Sequence, residues 1–290
     1  MPIFNMSRRP PQIPATAYFG MLAFLAMGLL VLVGPLIYRQ PIDAIDFGLA
    51  LQPPSWGHPL GTNSLGQDQL ARLLVGGRIS LTVGLTAMAL AVSLGTLVGA
   101  IAGFYGGLAD SLLMRFTDLF LSLPQLPLSL LVIYLFGDWA RSSLGPQTGI
   151  FALVVAVIGG FNWMSVARLV RAGFLANRDR AFMQAARALG AKNHRLIWHH
   201  LLPNVLGPIV VAATLAVGNA ILTEATLSFL GLGFPPDVPT WGRMLFTAQD
   251  YLESAPHMAV FPGAAIFIAV LSINFIGDGL RDWLDPNSGG

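Results

Sequence analysis

Six long apolar stretches, each free of charged residues, alternate with polar segments along this chain. They lie between Arg9 and Arg39, Arg78 and Asp110, Asp118 and Asp138, Arg141 and Arg168, Arg195 and Glu224, and Glu253 and Asp278. About 20 apolar residues cross the hydrocarbon core as a helix, so each stretch predicts one membrane span. The expected helices cover roughly 17–38, 78–105, a third opening near Asp110, 150–170, 205–223 and 260–277. Pro124 and Pro127 kink or interrupt the third, which lipid tolerates only where neighbours satisfy the freed backbone groups. A seventh charge-free gap, between Asp46 and Asp68, holds Pro53, Pro54, Gly57, His58 and Pro59 and reads as a loop. The first apolar run is too long for a secretion signal and no A-x-A site follows, so it reads as a retained anchor.

Two finer patterns stand out. In the second span Gly95, Gly99, Gly103 and Gly107 recur every fourth residue, preceded in step by Ala87 and Ala91. Such a ladder lets a neighbouring helix approach backbone to backbone, so it reads as a packing face. Leucine at Gly99 or Gly103 should drive two helices apart, and alanine should be mild. The segment 179–203 reads as a short amphipathic helix, a turn and a second helix. Asp179 is its expected N-cap and Gly190 its expected left-handed terminator. Arg180, Gln184 and Arg187 form one stripe; Phe182, Ala185 and Leu189 form an apolar one. Ala185, Ala186 and Ala188 leave room for a partner backbone, and the segment runs on to Pro203-Asn204. Pattern alone permits a connector lying on the membrane surface or a docking helix. Near the start of the third span, Arg115 and Asp118 can pair at i, i+3.

Composition agrees with the spans. The 290 residues are 54% hydrophobic and only 10% charged, against about 25% charged in soluble domains, which excludes a soluble enzyme. The net charge of +2 says less than its distribution. With both termini inside, the inner segments hold Arg8, Arg9, Arg115, Arg168, Arg171, Arg178, Arg180, Arg187, Lys192, Arg195 and Arg281. The outer segments hold Arg39, Arg72, Arg78, Arg141 and Arg243, so eleven against five favours cytoplasmic termini. Cysteine is absent, which removes disulfides and thiolate metal sites. No phosphate-binding GxxxxGK[ST] loop, H-E-x-x-H or G-x-S-x-G motif occurs, and Phe275-Ile276-Gly277-Asp278 lacks the first glycine of a GxGD protease. His194, His199 and His200 diverge on a helix without a carboxylate to complete a metal set. Glu224, beside Thr223 and Thr226, is the strongest intramembrane candidate. It lines a gate or path with Ser228 and Phe229, or it lies at the outer interface and binds the backbone of the glycine-rich segment that follows.

Several stretches carry a specific resemblance. They are His58-Pro59-Leu60-Gly61-Thr62-Asn63-Ser64-Leu65-Gly66-Gln67-Asp68 with Gly77-Arg78-Ile79-Ser80-Leu81, and Phe104-Tyr105-Gly106-Gly107 with Asp110, Met114, Arg115 and Asp118. Glu224 to Gly233 running on to Trp241-Gly242, and the tail Asn274 to Pro286, complete the set. In this order they resemble the C-type permeases of the dipeptide, oligopeptide and nickel group of ABC importers, and 184–190 resembles the EAA loop of such permeases. Gln184 stands where that loop often has an acid, Asn63 replaces a frequent aspartate and Gln67 a frequent arginine.

The resemblance implies an all-α polytopic membrane protein with the six transmembrane helices of the type I ABC importer permease fold. It divides the chain into a tail (1–16), an anchor (17–38), an outer segment (39–77), a five-helix permease core (78–282) with a coupling helix at about 179–203, and a tail (283–290). It implies that Arg180, Gln184, Ala185, Ala186, Arg187, Leu189, Gly190 and Pro203 meet the ATPase. Implied partners are a homologous B-type permease, two cytoplasmic ATPases that bind ATP and Mg, and an extracytoplasmic binding protein, in the bacterial inner membrane. No cofactor, catalytic site or nucleic acid is implied for this chain. A secondary transporter would place ionisable groups near the midplane and show repeats; here charges cluster at span ends.

Overall fold

The computed structural model describes residues 14–284. Most of the tails expected at 1–16 and 283–290, including Arg8, Arg9, Asp285 and Pro286, lies outside the described residues. Five helical runs are long and apolar enough to span: α1 (Ala15–Ile37), α2 (Gln69–Tyr105), α5 (Pro146–Asn177), the run Asn193–Phe229, and α10 (His257–Leu284). The sixth crossing is a bent pair, α3 (Gly107–Ser122) and α4 (Gln125–Leu144), whose axes meet at 87°. The run ending at Phe229 comprises α7 (Asn193–Arg195), a π turn over Leu196–Leu201, and α8 (Leu202–Phe229). Two short helices, α6 (Ala181–Ala188) and α9 (Trp241–Ala248), sit at opposite ends. Among the described residues, β pairing is limited to an isolated bridge between Thr62 and Asp68.

The helices depart from the expected spans for local reasons. The break in the bent pair falls at Leu123 and Pro124, both extended. Pro127 lies in the first turn of α4, where the N–H it lacks would have no helical partner. The second helix starts at Gln69 instead of 78, because the Asp68 carboxylate caps it by accepting from the Ala71 N–H at 2.8 Å. Arg72 and Arg78 therefore lie inside a helix, with their guanidinium groups occupied. Arg72 Nη1 donates to the Ile42 carbonyl at 3.0 Å. Pro35 in α1 offers no N–H to the Val31 carbonyl four residues back, and Arg78 Nε fills that place at 3.0 Å.

Helix α2 runs through the centre against α5 and α8, while α1 packs on α10. Its glycine face is pressed onto α5. A Cβ at Gly95 would meet the Trp163 carbonyl and Val166, one at Gly99 the Ala167 carbonyl and Val170, and one at Gly103 Phe174 and the Arg171 carbonyl. The four-residue step of the glycines is matched by Trp163, Ala167 and Arg171. Gly107 does not belong to this face: it opens α3 with φ +56° and open space around it. Alanine is not mild either. A methyl at Gly99 would stand 2.8 Å from Val170 Cβ and press on the Ala167 backbone, so α5 must move.

The first helix of the third crossing, α3, is tied to α5 by ion pairs. Arg171 grips both oxygens of Asp110, with Nη2 to Oδ2 at 2.6 Å, and Arg168 meets Asp118 at 2.5 Å. Asp118 thus pairs across helices instead of with Arg115. The loop 38–68, the start of α5 and the segment around α9 gather at one end of the molecule: Arg72 bridges Ile42 and Pro236, Gln147 borders a small cavity with Asp43 and Asp237, and His257 reaches the Thr62 carbonyl. Gly106, α6 and the close of α10 lie at the other, where Gly106 abuts Arg178 and Gly207 abuts Leu284.

Candidate functional site

Helix α6 is built to show one face. Met183 and Ala186 are buried, packing into a cluster with Leu196, Leu201, Val205 and Phe174. Phe182, Ala185 and Leu189 point outward, with Leu189 89% exposed, and Arg180, Gln184 and Arg187 are exposed beside them. The N-cap is Arg180 in extended conformation, one residue later than expected. The Asp179 carboxylate turns to Arg178 at 3.3 Å, while Gln184 Nε2 donates back to the Asp179 carbonyl at 3.1 Å.

The far end closes as the sequence predicts. Gly190 has φ +79°, its N–H donates to Arg187 O at 2.9 Å, and the Ala191 N–H reaches Ala186 O at 3.0 Å. That bond pair is a Schellman motif, which needs a residue free of Cβ strain at the left-handed position. The π turn that follows ends just before Pro203, exposed in the first turn of α8. An α turn there would drive the proline ring into the carbonyl of His199, and the wider turn gives it room.

At the opposite end Glu224 lies at the centre of a closed polar node and is 0% exposed. Ser80 Oγ of α2 donates to Oε2 at 2.9 Å, and Ser228 Oγ, one turn on in α8, donates to Oε1 at 2.7 Å. Thr240, the N-cap of α9, is buried beside this node and accepts from the Arg243 N–H at 3.2 Å. Ser80 Oγ in turn accepts from the Trp241 N–H at 3.3 Å. The carboxylate thus joins α2, α8 and α9 through hydroxyls. It does not bind the backbone of the glycine-rich segment, as the interfacial reading expected. That segment instead wraps the node: Gly231 ends α8 with φ +81°, and Gly233 stands against Ser228. Of the three residues grouped for a gate, Glu224 and Ser228 are enclosed within this chain, and Phe229 reaches the surface at 41% exposed.

A second closed node was not legible as such. Asp68 accepts from the Tyr38 hydroxyl at 2.7 Å, lies 2.9 Å from His58 Nδ1 and caps α2. Asn63 Oδ1 accepts from the Leu65 and Gln67 N–H groups at 2.9 Å each, folding 61–68 into a compact turn. Asp before an apolar run was the available signal; Tyr38 lies 30 residues away.

Comparison with known proteins places this geometry. Residues 95–289 match the family described as binding-protein-dependent transport system inner membrane component. The dipeptide transport system permease protein of Alkalihalophilus pseudofirmus is 38% identical over 270 residues, covering 93% of this chain and 85% of that protein. The glutathione transport system permease protein of Pectobacterium atrosepticum is 39% identical over 252 residues, covering 86% and 80%. The oligopeptide transport system permease protein of Haemophilus influenzae is 36% identical over 274 residues, covering 94% and 84%. In structure, a chain of the inward-facing MetNI methionine ABC transporter superposes with a TM-score of 0.57 at 20% identity, over 71% of this chain and 93% of that one. Six apolar crossings in the type I importer fold, with a family match over most of the length, make this chain a multi-pass permease subunit of the ABC importer family of binding-protein-dependent inner membrane components.

Proposed function

We propose that the chain forms half of a path for short peptides, or for a related ligand such as glutathione or a nickel complex, in an ATP-driven importer. It pairs with a homologous permease, receives substrate from an extracytoplasmic binding protein, and leaves ATP and Mg to two cytoplasmic ATPase subunits. Both termini are cytoplasmic, an orientation supported by the eleven-to-five basic bias. The peptide class is supported by the names of the dipeptide and oligopeptide relatives.

The observation that carries the reading is the unpartnered apolar stripe of α6. A helix of eight residues that buries Met183 and Ala186 while holding Phe182 and Leu189 in the open fits a groove in another subunit. Arg180 and Arg187 frame that stripe with positive charge. Because the chain has no cysteine, Leu189→Cys introduces a single thiol. Maleimide labelling of that thiol should be fast in the permease pair alone and at least about tenfold slower when the ATPases are bound. Equal labelling in both states would overturn the docking assignment.

A further inference from the structure

Among the described residues, the end of the molecule opposite α6 contains one arginine whose guanidinium the fold leaves unanswered. Five arginines belong to that end, and four reach an acceptor. Arg39 donates to Leu36 O, Arg72 to Ile42 O, Arg78 to Val31 O, and Arg141 to Asp138. Arg243 has no ion pair or side-chain hydrogen bond among the described residues, and its Nε is buried without a partner. Burial pushes its guanidinium below its ordinary range.

The group is nonetheless held in place. Its backbone N–H donates to the Thr240 cap at 3.2 Å, and Trp241, Met244 and Ala248 anchor α9 from the buried side. Trp241 Nε1 fixes the same helix to α2 through the Leu73 carbonyl at 3.0 Å. The guanidinium lies 4.5 Å above the Phe246 ring, and Phe246 in turn covers Gly231. Beside it, Phe229 and Leu230 form the exposed lip where α8 ends. A half-buried, stacked and rigidly mounted guanidinium whose terminal Nη groups have no hydrogen-bond partner among the described residues matches a carboxylate, which accepts two parallel N–H bonds from it.

We infer that Arg243, stacked on Phe246, is an entry site for the terminal carboxylate of the transported peptide. The inference rests on the peptide reading above. Every unblocked peptide carries that carboxylate whatever its side chains, so one fixed cation serves a whole substrate class. On the importer reading, a solute meets this end of the molecule before the α6 end, so contact at Arg243 comes early in its passage.

The test uses the full importer with its binding protein in proteoliposomes, and two probes: a labelled dipeptide and its C-terminal amide, each at a concentration saturating the binding protein. Arg243→Gln should lower uptake of the free acid about ten- to a hundredfold and leave uptake of the amide at its wild-type rate. Arg243→Lys should restore part of the loss. Phe246→Leu should move the two probes apart in the same direction and carries the test if Arg243→Gln fails to assemble. Equal loss for acid and amide, or no loss for either, would overturn the assignment. A higher binding-protein concentration for half-maximal ATPase stimulation would overturn it in favour of an acidic side chain on that protein. A wild-type importer that moves neither probe would overturn the peptide reading itself, and with it this site.

Discussion

The Glu224 node and the α6 loop answer the same physical problem in opposite ways. Around Glu224 the polar groups sampled from α2, α8 and α9 find one another, and a carboxylate that is costly in lipid is enclosed by hydroxyl donors. Around α6 the chain satisfies its backbone with a Schellman turn but leaves Leu189 in the open and Phe182 only partly covered. One region is complete within a single chain; the other leaves apolar surface uncovered, and on the proposed reading its complement belongs to the ATPase. The contrast separates residues that hold this subunit together from residues that make it useful, and substitutions should sort accordingly.

The largest loss of stability is expected at Gly99→Leu. The side chain would force apart two backbones already in contact, at about 3 kcal/mol or more. Little assembled complex should survive detergent extraction, and Gly99→Ala should show a smaller loss in the same direction. A leucine variant recovered at wild-type yield would refute the α2–α5 contact. Next comes Glu224→Leu, which leaves the buried Ser80 and Ser228 hydroxyls without their acceptor and should cost about 3 kcal/mol, read as a lower unfolding temperature. Glu224→Gln keeps an acceptor and should cost about 1 kcal/mol with transport retained. If the glutamine variant folds normally but loses uptake, the carboxylate charge serves transport and the node is more than a staple.

Gly190→Val sharpens the comparison from the other side. Nothing crowds the position, so the penalty comes only from φ +79° and should be about 1–3 kcal/mol. Its effect on coupling should be far greater: the re-aimed helix should still yield folded permease, with little substrate-stimulated ATP hydrolysis in the reconstituted complex. Normal stimulation would mean that the turn geometry is irrelevant to docking. The smallest stability effect is expected at Leu189→Asp, within about 0.5 kcal/mol, because the side chain is already exposed. Co-purification with the ATPase should nevertheless fall sharply.

What the sequence disclosed follows the range of the interaction. Gly190 was readable because a helix terminator depends on its own φ and on bonds within six residues. The spans were readable because lipid excludes charge over about 20 residues at a time. The start of α2 was misplaced since Arg72 and Arg78 look like aqueous residues. Their acceptors, the Ile42 and Val31 carbonyls, lie 30 and 47 residues away and carry no sequence mark. The partners of Glu224 were hidden for the same reason: Ser80 is 144 residues earlier. The i, i+3 pairing of Arg115 with Asp118 was a sound local expectation that lost to Arg168, which the α3–α5 crossing brings within 2.5 Å.

The bent pair α3–α4 has a consequence for biogenesis. A ribosome delivers the chain from its first residue, so Asp110 and Asp118 enter the translocation machinery 61 and 50 residues ahead of Arg171 and Arg168. During that interval neither aspartate has its partner, and the 87° elbow has no α5 to lean on. The elbow's ion pairs to α5 can therefore close only after α5 has been synthesised and inserted. A chain released before Arg171 emerges is an unfinished substrate for membrane quality control, and proteolysis of nascent intermediates should decline once α5 arrives.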